Sequence, residues 1–217
     1  MQTEIARRPL KTRQRAWASA LAQVLVRWGA SPNAISVASI FFALVAAVSL
    51  FSAGAIAGSQ RVWLLALAMG GIQGRLLCNM LDGMVAVEGG RKTKSGEIFN
   101  DLPDRIADAL ILIGAGYAAR QYPFAVELGY LGAMLSVFTA YVRMLGGASG
   151  LIQSFVGPMA KQHRMAVLTL ACLLSIFDVH FFRAGAVLWA ALIVINIGCL
   201  ITIVRRTARI AREIESR

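Results

Sequence analysis

The sequence predicts an all-α membrane protein, six transmembrane helices with an N-terminal amphipathic interfacial helix ahead of them. Three observations carry this expectation. Of 217 residues, 58% are apolar and 15% charged, and the mean hydropathy is +0.65, too apolar for a soluble domain of this length. Apolar runs of the roughly 20 residues needed to cross about 30 Å of hydrocarbon recur along the chain. The basic residues gather in alternate loops, as topology signals do.

Taken in order, residues 12–28 set Trp17, Leu21, Val24 and Leu25 against Arg13, Arg15 and Arg27, the pattern of a helix lying at the membrane surface. Ser31, Pro32 and Asn33 then supply a break and a helix cap. Spans are expected near 34–57, 62–87, 103–120, 123–145, 164–182 and 184–204, separated by breaks rich in Gly, Pro or charge. This divides the chain into an N-terminal cytoplasmic segment (1–33), a transmembrane domain (34–204) and a basic tail (205–217). The N-terminus has mixed charge and no short apolar core followed by a cleavage site, so no signal peptide is expected.

Orientation follows from the flanking cations. One side collects Arg7, Arg8, Lys11, Arg13, Arg15 and Arg27 before the first span, Arg91, Lys92 and Lys94 after the second, Lys161 and Arg164 before the fifth, and five arginines at the C-terminus. The other side has Arg61, Arg120 and Arg183, so both termini are expected in the cytoplasm. The net charge of +11 therefore reads as topology rather than nucleic-acid binding. Cys78, Cys172 and Cys199 stand singly in apolar runs and read as buried small residues, not as a disulfide or a metal site.

Six of the eleven acidic residues fall within 82–108: Asp82, Glu88, Glu97, Asp101, Asp104 and Asp108. A carboxylate at bilayer depth costs at least a few kcal/mol, so such residues face protein or water. Asn79 and Asp82 share one face of the second span, and Asn100, Asp104 and Asp108 share one face of the third. Antiparallel neighbours would bring these faces together. Hard oxygen ligands of this kind suit Mg²⁺, Mn²⁺ or Ca²⁺ and not zinc. Divalent ions at a cytosolic membrane surface are placed to hold a pyrophosphate while a phosphoryl bond breaks, and Arg91, Lys92 and Lys94 lie in the connecting loop. The acids sit at one mouth rather than along a path, which disfavours an ion carrier.

The segment 79–104, NMLDGMVAVEGGRKTKSGEIFNDLPD, resembles the signature of the CDP-alcohol phosphotransferases, D-x2-D-G-x2-A-R-x8-G-x3-D-x3-D. Every spacing is kept, and Asp82, Gly83, Ala86, Gly96 and Asp104 match outright. The resemblance implies six spans, two divalent ions (Mg²⁺ or Mn²⁺) bound by the acidic positions, and a homodimer. It implies transfer of a phosphatidyl or other substituted phosphate group from a CDP-linked donor, with CDP-diacylglycerol the first choice, to an alcohol such as glycerol 3-phosphate, with release of CMP, in a bacterial inner membrane. Carried over by position, Asp82 is a metal ligand, Asp104 a ligand and the base for the acceptor hydroxyl, and Gly83, Ala86 and Gly96 line the nucleotide site.

Three positions depart from the pattern: Asn79 and Asn100 stand where the family has acids, and Val87 where it has Arg. Asn can still ligate through its amide oxygen. Two negative charges are nevertheless lost, so metal affinity is expected to fall or one ion to be lost. Asp101, beside Asn100, is a substitute ligand, and Arg75 or Arg91 a substitute phosphate contact. Arg143, Lys161 and Arg164 gather near the same mouth and suit a phosphate-bearing acceptor. The alternative these departures raise is a degenerate member that binds lipid or nucleotide, or acts as a scaffold, without turnover.

Overall fold

The computed structural model describes residues 16–90, 96–178 and 182–216, and its named elements within them are all helices. They are α1 (Ala16–Arg27), α2 (Pro32–Ala53), α3 (Ser59–Glu88), α4 (Gly96–Ala118), α5 (Ala125–Ala148), α6 (Lys161–Ser175) and α7 (Ala186–Glu215). The expected segment 1–15 and the loop residues Arg91, Lys92 and Lys94 lie outside the described residues.

The start of α2 follows the sequence reading. Ser31 is extended (φ −85°, ψ 143°) and its hydroxyl accepts from the Ala34 N–H at 3.2 Å, while Pro32 opens the helix where no N–H partner is needed. The inner face of α2 carries small residues, among them Ser36, Ser39, Ala43 and Ala46. Both α3 and α4 pack along it, so close that a Cβ on Gly71 would lie 2.7 Å from the Phe42 carbonyl oxygen and one on Gly114 2.8 Å from that of Ala47. Small residues allow this approach where lipid supplies little hydrophobic drive for helix association.

On the other side, α5 packs against α4 and α7, and α6 against α7 and α3. Leu65 and Ile72 of α3, Ile111 and Leu112 of α4, Leu168 of α6 and Leu192 of α7 are fully buried in one core. Large apolar side chains also cover the outside, among them Phe41, Trp63, Phe138, Ile197 and Val204. A bundle that is apolar both within and without is built for lipid.

Four helices, α2, α3, α5 and α7, have the length and composition to cross a membrane. The sequence predicts six spans; α4 falls short of those criteria because Asp101, Asp104, Arg105 and Asp108 lie in it, and α6 because it has only 15 residues. α1 forms within the expected 12–28 segment, and Ala18 and Ala22 are its buried residues, with Leu21 and Leu25 partly covered against the end of α3. α7 runs unbroken through position 205, with Arg206 and Ile210 buried, so the basic tail is continuous with the last helix.

Gly71→Leu is expected to lower the unfolding temperature in detergent, by the equivalent of about 1–3 kcal/mol of overpacking. Gly70→Leu, where a Cβ meets nothing within 4 Å, serves as the control and is expected to leave it unchanged.

Candidate active site

Arg75, Asn79 and Asp82 are spaced four and three apart on α3, and Asp104 and Asp108 four apart on α4, so each set projects from one helical face. The first turn of α6 adds Lys161 and Arg164. Arg75, Asp82, Asp104, Asp108 and Arg164 are all buried. Their charges determine how the three helices meet.

Asp108 is the centre of this cluster. Arg75 from α3 donates to its Oδ1 and Arg164 from α6 to its Oδ2, and both the Asp108 and Arg75 side chains are fully excluded from solvent. The same Arg75 Nη2 reaches the Asp104 backbone oxygen at 3.3 Å and Asp104 Oδ1 at 3.4 Å. Arg164 Nη1 donates to the Met159 carbonyl at 3.0 Å and to Thr139 Oγ1 at 3.3 Å. A carboxylate bonded to two guanidiniums by charge-assisted hydrogen bonds can be buried; any of the three alone could not be.

One turn earlier, Asp104 receives two further nitrogen donors. Asn79 Nδ2 donates to Oδ1 at 2.7 Å, and the Lys161 ammonium is ion-paired with Oδ2. Asp82 Oδ2 accepts from the hydroxyl of Ser36 on α2 at 2.6 Å. Asp82, Asp104 and Asp108 thus stand with buried Arg75 and Arg164 and half-buried Lys161, and Arg105 Nη2 lies 4.0 Å from Asp104 Oδ2.

The other expected residues are arranged differently. Asp101 gives Oδ1 to Arg105 at 2.9 Å and to Arg143 of α5 at 2.8 Å, an ion pair that joins α4 to α5. Arg143 also lies over the Phe155 ring, 5.6 Å from its centre. Asn100 is exposed in the first turn of α4, which Gly96 opens. Gly83 and Ala86 are half-buried on α3, Val87 is exposed, and Arg91 lies outside the described residues. His163 is exposed, with Nδ1 2.6 Å from the Pro158 carbonyl oxygen. Sequence reasoning missed Ser36 and Thr139. Ser36 and Ser39, three apart on an otherwise apolar span, were the available signal for the first; Thr139 had none.

The oxygen donors fit a hard divalent cation: carboxylates from Asp82 and Asp104, with amide oxygens from Asn79 and Asn100. Two carboxylates balance one such ion, and among the described residues no three Asp, Glu, His or Cys side chains cluster as a metal site. Asn79 turns its nitrogen toward Asp104, and a half-turn of the amide would present its oxygen instead.

No family model matches the chain. It is 25% identical over 189 residues to the phosphatidylinositol phosphate synthase of Mycolicibacterium smegmatis, covering 86% of this chain and 80% of that protein. The synthase of the same name from Mycobacteroides abscessus is 25% identical over 191 residues, with the same coverage. The fold is that of the Mycobacterium tuberculosis phosphatidylinositol phosphate synthase solved with CDP-DAG bound: TM-score 0.73, 22% identity, 89% of this chain and 92% of that one. The same enzyme in complex with manganese and citrate gives a TM-score of 0.72 at 21% identity, covering 89% and 88%. These relatives align over most of their length. The likeness agrees with the resemblance of residues 79–104 to the CDP-alcohol phosphotransferase signature. Four helices long and apolar enough to cross a membrane, together with this likeness, make the chain an integral membrane protein. The chain itself places Asn at 79 and 100 and a lysine on Asp104.

Asp108→Asn leaves two buried guanidiniums without their shared charge. It is expected to cost about 3–5 kcal/mol, read as loss of unfolding temperature or denaturant midpoint in detergent. Glu127→Gln, at an exposed residue in the first turn of α5, is expected to change neither.

Proposed function

We propose that this chain transfers a phosphatidyl group from CDP-diacylglycerol to the hydroxyl of a phosphorylated polyol and releases CMP, a step of phospholipid synthesis. The observation that carries the reading is the gap-free signature on α3 and α4, with Asp82 and Asp104 kept and Arg75, Lys161 and Arg164 around them. The resemblance of 79–104 implies an alcohol such as glycerol 3-phosphate as acceptor. The names of the relatives favour an inositol phosphate instead. Both present a phosphate and a hydroxyl, and the half-buried cations Arg143 and Lys161 suit the phosphate.

In this mechanism Asp104 takes the proton of the acceptor hydroxyl as its oxygen bonds to the donor phosphorus and the phosphorus–oxygen bond to CMP breaks. Asp82, Asn79 and Asn100 would hold Mg²⁺ or Mn²⁺, which would supply positive charge to the donor pyrophosphate. Ser36 orients Asp82 by its hydrogen bond. Gly83, Ala86 and Gly96 line the nucleotide. Arg75 keeps Nε and Nη1 without a hydrogen-bond partner among the described residues, donors that suit a phosphate in place of the motif arginine lost at Val87.

The helices α2 to α7 are read as six spans, with α1 at the interface, in a bacterial inner membrane. Both termini and the site face the cytoplasm, and the working form is a homodimer. The domains are read as 1–33, 34–204 and 205–217.

Purified protein with CDP-diacylglycerol, Mn²⁺ and inositol phosphate is expected to release CMP. Asp104→Asn should lose about 10²-fold or more, and chelation of the metal should abolish release. No CMP above the Asp104→Asn level with any phosphorylated polyol would sink the transferase reading. The second reading, a binding or scaffold member without turnover, rests on Asn79, Asn100 and Val87. Asn79→Asp with Asn100→Asp discriminates: a transferase tuned to its asparagines loses CMP release in the double variant, whereas a degenerate member gains it.

A further inference from the structure

We propose that the Lys161 ammonium stands in for one of the two divalent ions that a four-acid signature would hold, so that this chain works with a single ion. The inference rests on the transferase reading and deepens it.

Three observations converge on Lys161. Its ammonium is ion-paired with Oδ2 of Asp104, the last acidic position of the signature, while Asn79 Nδ2 takes Oδ1 at 2.7 Å. Both oxygens of that carboxylate are thus held by nitrogen donors from two other helices. The lysine is also fixed in place: its side chain is only 25% exposed, it opens α6, and Arg164 in the same turn is anchored to Asp108, Met159 and Thr139. An ammonium is a compact point charge that can occupy a site otherwise suited to a cation.

The third observation is charge. Replacing two of four acids by Asn79 and Asn100 leaves Asp82 and Asp104, which two divalent ions would overcharge even before the ammonium is counted. One divalent ion together with Lys161 leaves a small positive excess, matched to an incoming pyrophosphate. The two asparagines and the lysine then form one compensated change: the asparagines lower the negative charge, and the lysine supplies a resident positive one.

The test counts Mn²⁺ ions by electron paramagnetic resonance in the purified full-length protein, in detergent with saturating CDP-diacylglycerol. The wild type is expected to bind one Mn²⁺ per chain with no spectrum of a coupled pair. Lys161→Gln, close in shape but neutral, is expected to tighten Mn²⁺ binding by about tenfold, since a like charge next to the ligands is removed. Lys161→Gln combined with Asn79→Asp and Asn100→Asp is expected to bind two ions and show the coupled spectrum. Two coupled ions in the wild type, no bound ion at all, or an affinity unmoved by Lys161→Gln would overturn the proposal. Should the triple variant fail to fold, the wild-type stoichiometry and the single variant still decide it. Ion counting does not depend on turnover: CMP release with two coupled ions defeats this inference alone, and one bound ion without CMP release defeats the transferase reading alone.

Discussion

The pairing of Asp108 with Arg75 and Arg164 is the constraint on which the rest of the site depends. A single buried carboxylate joins α4 to α3 through one oxygen and to α6 through the other. Separating the partners at this depth would strand charge in a medium that cannot solvate it, so the three helices have one acceptable arrangement. That arrangement fixes the functional groups a turn away. Asp104 precedes Asp108 by four residues and Lys161 precedes Arg164 by three, so locking the deeper pair aligns the shallower one.

Two kinds of packing cooperate to hold this geometry. Along α2, small residues allow backbone contact at Gly71 and Gly114, and this brings the two signature helices against a common support. Polar contacts then set their rotation: Ser36 bonds Asp82, and Asp101 bridges to Arg143 on α5. The apolar contacts bring the helices together without selecting a register, and the charged ones select it.

The fold class and much of the site were legible in the sequence, because both rest on intervals along one helix. The Ser31 cap, the shared faces of Asn79 with Asp82 and of Asp104 with Asp108, and the approach of α3 to α4 all follow from spacing. Partner choice between helices was not legible. Spacing along α4 offers Asp108 only Arg105, three residues away, and Arg164, fifty-six residues away, is found only once α6 is placed. Asp101 had a similar ambiguity: a rotation of about 100° per residue separates the metal side from the α5 side, and Arg143 draws it to the latter. The membrane spans were harder to read for the same reason. The charges that make α4 functional also remove it from the helices that qualify by apolar composition.

The two residues by which α7 grips the loop between α5 and α6 give the C-terminal helix a role beyond spanning. Thr202 Oγ1 accepts from the Met159 N–H at 3.0 Å, and Arg206 Nε donates to the Val156 carbonyl at 2.8 Å, four residues apart on one face of a continuous 30-residue helix. Their targets lie immediately before Lys161. The helical phase of α7 is therefore transmitted to the ammonium beside Asp104: adding or deleting one residue upstream of Thr202 would swing both grips by about 100° and release the loop. Length changes in this helix are constrained by the angular position of the site as well as by the thickness of the bilayer.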